Sequence, residues 1–178
     1  MRFNKHYDLT GKHAFLSPSK YHWIYYDEEK LVATYRNSVA AKHGNDLHDL
    51  AQRCIELKRK LPKTKDTFNQ FVNDAIGFRM SPEQVLFYSY YAFGTADAIS
   101  FRQRMLRIHD LKTGRSRVTM EQLEIYAALF CLEYNIKPSS IDMELRIYQS
   151  NIITHTPAAP EIRRIMEKIK FKNQKINL

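Results

Sequence analysis

Two places in the sequence carry side chains whose type and spacing suit chemistry: Asp97, and Asp110 with Lys112. Met105–Lys112 reads as an extended strand, in which alternate side chains share a face. Asp110 and Lys112 then stand about 7 Å apart on the same side, just before the turn Thr113-Gly114. Asp97 falls on the preceding strand, where a short turn brings it beside Asp110. Two carboxylates at that range repel unless a cation lies between them, and hard oxygen ligands suit Mg²⁺ or Mn²⁺. Such an ion lowers the pKa of a bound water, and Lys112 would hold that water or the negative charge developing on phosphorus. The combination fits hydrolysis of a phosphodiester. Taken alone, an Asp-x-Lys pair is more often a solvated ion pair worth about 0–1 kcal/mol.

The elements that must position these residues follow from the hydrophobic pattern. Ser17-Pro18-Ser19 resembles a helix start, with Ser17 as N-cap and Pro18 first in the helix. Leu47, Leu50, Ala51, Cys54 and Ile55 recur at helical spacing over Asn45–Leu57. Phe68, Phe71, Val72, Ala75 and Ile76 predict a second helix over Asp66–Ile76. Val85–Phe93, Ala96–Phe101 and Met105–Lys112 read as three strands with short connections, the second turn falling at Arg102–Arg104. Thr119 with Gln122 forms a capping box opening a helix to about Tyr134. Ile141, Met143, Leu145 and Ile147 alternate with polar residues in a fourth strand, and Pro160–Lys170 closes the chain as a short helix with a basic tail. These elements predict an α/β fold, a central mixed sheet made of an antiparallel meander plus one further strand, flanked by helices. The organisation expected is one domain over residues 1–155 followed by a C-terminal helix and tail over 156–178.

The ordered set Gly94-Thr95-Ala96-Asp97, Asp110-Leu111-Lys112 and Gln122-Leu123-Glu124-Ile125-Tyr126 resembles the motifs of the PD-(D/E)XK nuclease superfamily, in its RecB-like branch of phage exonucleases. The resemblance covers roughly residues 17–149 and implies a restriction-endonuclease-like core and a metal-dependent deoxyribonuclease of recombination, repair or phage genome processing. It implies Asp97, Asp110 and Lys112 as catalytic residues. His48, in the upstream Gly44-Asn45-Asp46-Leu47-His48, would join Asp97, Asp110 and the backbone carbonyl of Leu111 as a ligand of Mg²⁺ or Mn²⁺. On the residues alone His48 is an ordinary helix histidine. Gln122 and Tyr126, on one helix face, either touch DNA near the active centre or serve as cap and core. Ser19 would lie near DNA, and Glu83, just before the first strand, reads as a surface acid before it reads as an additional ligand.

Composition bounds the partners. The 178 residues are 44% hydrophobic and 26% charged, an ordinary globular balance, and the formal charge of +9 favours a polyanion. Basic runs at Lys58–Lys65, Arg102–Arg107, Arg115 with Arg117, and Arg163–Lys175 would grip the phosphates of DNA. Any one of them taken singly reads first as a solvated face. Tyr88, Tyr90, Tyr91 and Phe93 could stack on bases, but their strand context favours core. A recombination or single-strand-binding protein and further copies of the chain are partners that the resemblance implies. Two cysteines, Cys54 and Cys131, cannot build an iron–sulfur cluster or a disulfide scaffold. No apolar run suits a membrane helix or a secretion signal, so a reducing cytoplasm is expected. The rival reading is a catalytically inactive nucleic-acid- or protein-binding module on the same fold.

Overall fold

A computed structural model describes residues 14–16 and 18–176, with the side chains of residues 19–21 excepted. The chain divides into two compact units, residues 1–45 and 46–178. In the first, a 3₁₀ helix (Pro18–Tyr25) precedes helix α1 (Glu28–Glu56), which runs on into the second unit. Asp27 caps α1 by accepting from the Lys30 amide at 2.8 Å, and Phe15 meets Tyr35 edge-on. The proposed cap Ser17 lies outside the described residues.

The second unit holds α2 (Thr67–Gly77), β1 (Ser81–Ser89), β2 (Ala92–Arg102), β3 (Met105–Leu111), α3 (Glu121–Glu133), β4 (Asp142–Tyr148), β5 (Ile152–His155) and α4 (Ala159–Ile176). Its strands form one mixed sheet in the order β1-β2-β3-β4-β5, all neighbours antiparallel except β3 and β4. Crossing from β3 to a parallel β4 demands a long connection, and α3 is that connection. The expected α/β class and mixed sheet are therefore present. Strand β5 was not foreseen.

Helices cover both faces. Leu106 and Ile108 of β3, with Met143, Leu145 and Ile147 of β4, pack against Leu123 and Ala127 of α3 and Ile162 of α4. Leu111 and Tyr148 point the other way and join Ala51, Cys54 and Ile55 of α1 with Phe71, Val72 and Ala75 of α2. Ile162 of α4 is buried in the first of these cores, and Ile165, Met166 and Ile169 pack against it. The fourth strand is covered on both sides at its end, because Tyr148 is as buried as Ile147.

Two local expectations need correction. The first hairpin turns at Tyr90–Tyr91, between the partners Ser89 and Ala92, so Phe93 and Gly94 already belong to β2. The Thr119–Gln122 capping box is not made: Met120 occupies the cap without a side-chain bond, and the Thr119 hydroxyl contacts Glu121 instead. The Gln122 side chain is engaged elsewhere. The second hairpin turns where expected, with Gln103 and Arg104 both at positive φ (50° and 63°). That is the two-residue geometry matched to strand twist.

Candidate metal centre

The site lies where β1, β2 and β3 run side by side. Pro82 pairs with Ala98 and Gln84 with Ala96, which sets Glu83 opposite Asp97. Ala98 pairs with His109, so the next rung sets Asp97 opposite Asp110. Three carboxylates therefore cross three adjacent strands in one row. Like charges directly opposite one another destabilise a sheet.

The backbone is irregular at this row. Glu83 is at φ 47°, in the left-handed region that a side chain with a Cβ rarely adopts. Ala96 and Leu86 pack in the α3 core, whereas Ala98 packs in the α1–α2 core. Residues two apart on a regular strand share a face, so the pleat reverses at Asp97. Irregularities of this kind re-aim a side chain. Here Asp97 Oδ2 accepts from the Leu111 amide at 2.8 Å and lies 3.5 Å from His48 Nδ1.

His48 belongs to the buried stripe of α1. It sits three and seven residues before Ala51 and Ile55, so the packing that seats those residues also turns His48 toward the sheet. One donor atom each from His48, Glu83 and Asp97 lie within 4.8 Å of one another. Glu83 is exposed, as expected of a surface acid, and is also a member of this group. The strand register places it there.

Asp110 is adjacent but differently engaged. It follows Leu106 and Ile108 on the α3 face, is 3% exposed, and lies 3.0 Å (Oδ2) and 3.2 Å (Oδ1) from Lys112 Nζ. Lys112 donates onward to Gln122 Oε1 at 2.8 Å, and Gln122 Nε2 donates to the Tyr126 hydroxyl at 3.2 Å. The Asp110–Lys112 strand end and the Gln122–Tyr126 helix face are thus one hydrogen-bonded chain. Room for it comes from Gly94, where a Cβ would stand 2.9 Å from Tyr126 Cε1. Leu111 contributes its amide to Asp97, a role that the sequence did not suggest beside its carbonyl.

Burial pushes the Asp97 carboxyl up to about 6, with Asp110 and Glu83 acting the same way against the Leu111 amide and His48. Burial also raises Glu83, opposed by His48 and assisted by Asp49. Partly desolvated carboxylates beside an imidazole could hold a divalent cation, which would offset the burial and the repulsion that raise them.

Beyond Lys112 a cleft of about 290 Å³ is lined by Gly114, Ser116, Arg117, Thr119, Gln122 and Gln149. Gln149 holds its rim by donating to the carbonyls of Gly114 (2.6 Å) and Ser116 (2.9 Å). Arg117 is therefore beside Lys112, while Arg115 is exposed on the same loop. The Ser19 side chain lies outside the described residues.

The reverse face of β3 carries a separate polar network. The Tyr148 hydroxyl donates to Asp74 at 2.7 Å and lies 3.2 Å from His109 Nδ1, while Arg146 bridges Asp74 and Glu144. Burial, with Arg146 and Arg107 nearby, lowers His109 to about 3, so its ring is neutral. Comparison of the chain with family models, curated proteins and solved structures finds no match.

Proposed function

We propose that the protein is a metal-dependent deoxyribonuclease on a restriction-endonuclease-like core. The observation that carries this reading is the grouping of His48, Glu83 and Asp97, with Asp110 acting on Asp97 from the adjoining strand and leading into the Lys112–Gln122–Tyr126 chain. A strand meander and one further strand in a mixed sheet flanked by helices are present, and this arrangement is compatible with the core that the PD-(D/E)XK resemblance implies. The donor set supports the reading. His48, Glu83 and Asp97 would hold the cation, with Asp110 alongside. One imidazole among carboxylates favours Mn²⁺ over Mg²⁺, which prefers oxygen and keeps its waters.

When bound, the ion supplies an activated water and polarises the scissile phosphate. The chain's own groups do the positioning. Asp110 anchors the Lys112 ammonium from one side, Gln122 from the other, and together they hold a fixed positive charge where charge grows on the phosphoryl oxygens. Tyr126 orients Gln122 by offering its hydroxyl oxygen as acceptor. Arg117 and Arg115, at the cleft rim and loop, would hold backbone phosphates without reading bases.

The test is cleavage of linear DNA with Mn²⁺ or Mg²⁺ by wild type and Lys112→Ala. The variant is expected to lose activity by a factor of about 100 or more. Equal cleavage removes Lys112 from the mechanism. Absence of cleavage by the wild type, with DNA still bound, leaves the inactive binding module in its place.

A further inference from the structure

The loop between β3 and α3 carries Arg115 and Arg117 past the cleft beyond Lys112, and it holds no helix or strand of its own. Such a loop keeps one course only through the hydrogen bonds its backbone makes. Among the described residues the backbone of 113–118 makes two, and Gln149 donates both, to the Gly114 and Ser116 carbonyls at 2.6 and 2.9 Å. Gln149 is itself well anchored. It follows Tyr148, which is fully buried at the end of β4. Its carbonyl accepts from the hydroxyl of Thr67, the first residue of α2, and its amide donates to the Asn151 carbonyl at 3.1 Å. The Lys112 amide donates to the Tyr148 carbonyl at 2.8 Å. One strand end therefore fixes Lys112 and, through Gln149, the loop that follows it.

The cleft has charge of one sign. Lys112 and Arg117 line it, and among the described residues no carboxylate does. The Lys112 ammonium already faces Asp110, whereas Arg117 has no acidic partner among the described residues. A guanidinium matches two oxygens of a phosphate. On a free loop it samples many positions, and ordering loop and side chain on binding costs entropy. A loop held beforehand leaves less to order, so the contact it makes with an anion is stronger.

We propose that Gln149 is a positioning residue for phosphate binding, holding the loop so that Arg117 stands beside Lys112 ready for a phosphate of the DNA backbone. The place of that phosphate next to the metal centre rests on the nuclease reading; the coupling of Gln149 to Arg117 does not. Both N–H groups of the Gln149 amide are engaged by the loop carbonyls, so Gln149 acts through Arg117 and not on the phosphate itself.

The test is fluorescence anisotropy in EDTA, where no cleavage occurs, with a labelled blunt DNA duplex in salt from about 50 to 200 mM. Gln149→Met keeps the length of the side chain and removes its donors. It is expected to weaken binding by about fivefold or more. It should also lower the salt slope by about one phosphate contact, as Arg117→Ala does. The double variant is expected to bind as Arg117→Ala alone, because a residue acting through another adds nothing once that other is gone. A general loss of structure would instead weaken binding further in the Arg117→Ala background. Gln149→Glu, equal in length and also without an N–H, repeats the cycle where circular dichroism shows the Met variant unfolded. Losses that multiply in the double variant overturn the proposal. So does an unchanged salt slope in either single variant, or a wild type that binds no DNA. The expected coupling in a protein that cleaves nothing would uphold the role of Gln149 while removing the nuclease reading, and cleavage without the coupling would do the reverse.

Discussion

Replacing Asp97 by asparagine should stabilise the metal-free protein at pH 7. In the fold the Asp97 carboxyl is raised from 3.8 to about 6, so the native state binds its proton more tightly than the unfolded chain does. Between those values the native state carries more protons, and stability falls as pH rises. The penalty is absent below 3.8 and complete above about 6. At 1.36 kcal/mol per pH unit it approaches about 3 kcal/mol at neutral pH. Asparagine keeps an acceptor for the Leu111 amide but loses the attraction to His48, worth about 1 kcal/mol or less. A net gain of about 2 kcal/mol should raise Tm by about 4–8 °C for a chain of this size. The assay is differential scanning calorimetry in EDTA at pH 7 and pH 5. The variant's advantage should shrink toward pH 5, because wild-type Asp97 takes up its proton there. Adding Mn²⁺ should stabilise wild type and leave Asp97→Asn almost unchanged. Identical melting of the two proteins at pH 7 without metal would refute the reasoning.

The remaining expectations are independent of that one. Gly94→Ala should cost about 1–3 kcal/mol, because the new methyl meets Tyr126 at 2.9 Å. A matching fall in urea midpoint checks it, and an unchanged midpoint contradicts it. The His109 ring should stay neutral throughout the range where an ordinary histidine titrates, its value being lowered to about 3. Its folded value lies below the unfolded one, so its contribution to stability diminishes as pH falls below about 6.5. Ring chemical shifts from pH 7 to pH 5 should not move, and a midpoint near 6.5 contradicts the burial argument.

The legible parts of the fold were those with a clear period. Asp66–Ile76, Met105–Lys112 and the alternation from Ile141 each fell within a residue or so of α2, β3 and β4, because a buried stripe leaves its spacing in the sequence. The N-terminal half of α1 was missed, since Val32, Tyr35 and Val39 are exposed and no stripe records their helix. β5 is four residues long and half exposed, too short for a pattern. The aromatic hairpin misled for a related reason: residue type suggests burial, but only a covering helix decides it, and Tyr90, Tyr91 and Phe93 are exposed. At the site, Asp97, Asp110 and Lys112 stood out by spacing and Gln122 and Tyr126 by resemblance, and the loop over 112–120 brings Lys112 of the strand end to Gln122 of α3. Glu83 did not. Its place opposite Asp97 depends on a hairpin register, and its left-handed backbone leaves no mark on residue type.

The central claim is that the carboxylate row and His48 hold a divalent cation. Anomalous scattering from a crystal soaked in Mn²⁺ tests it directly. The account predicts a single strong peak bounded by His48, Glu83 and Asp97, with Asp110 next to it, and its disappearance in Asp97→Asn crystals. A peak elsewhere, or none at a soak concentration that saturates binding in solution, would contradict it.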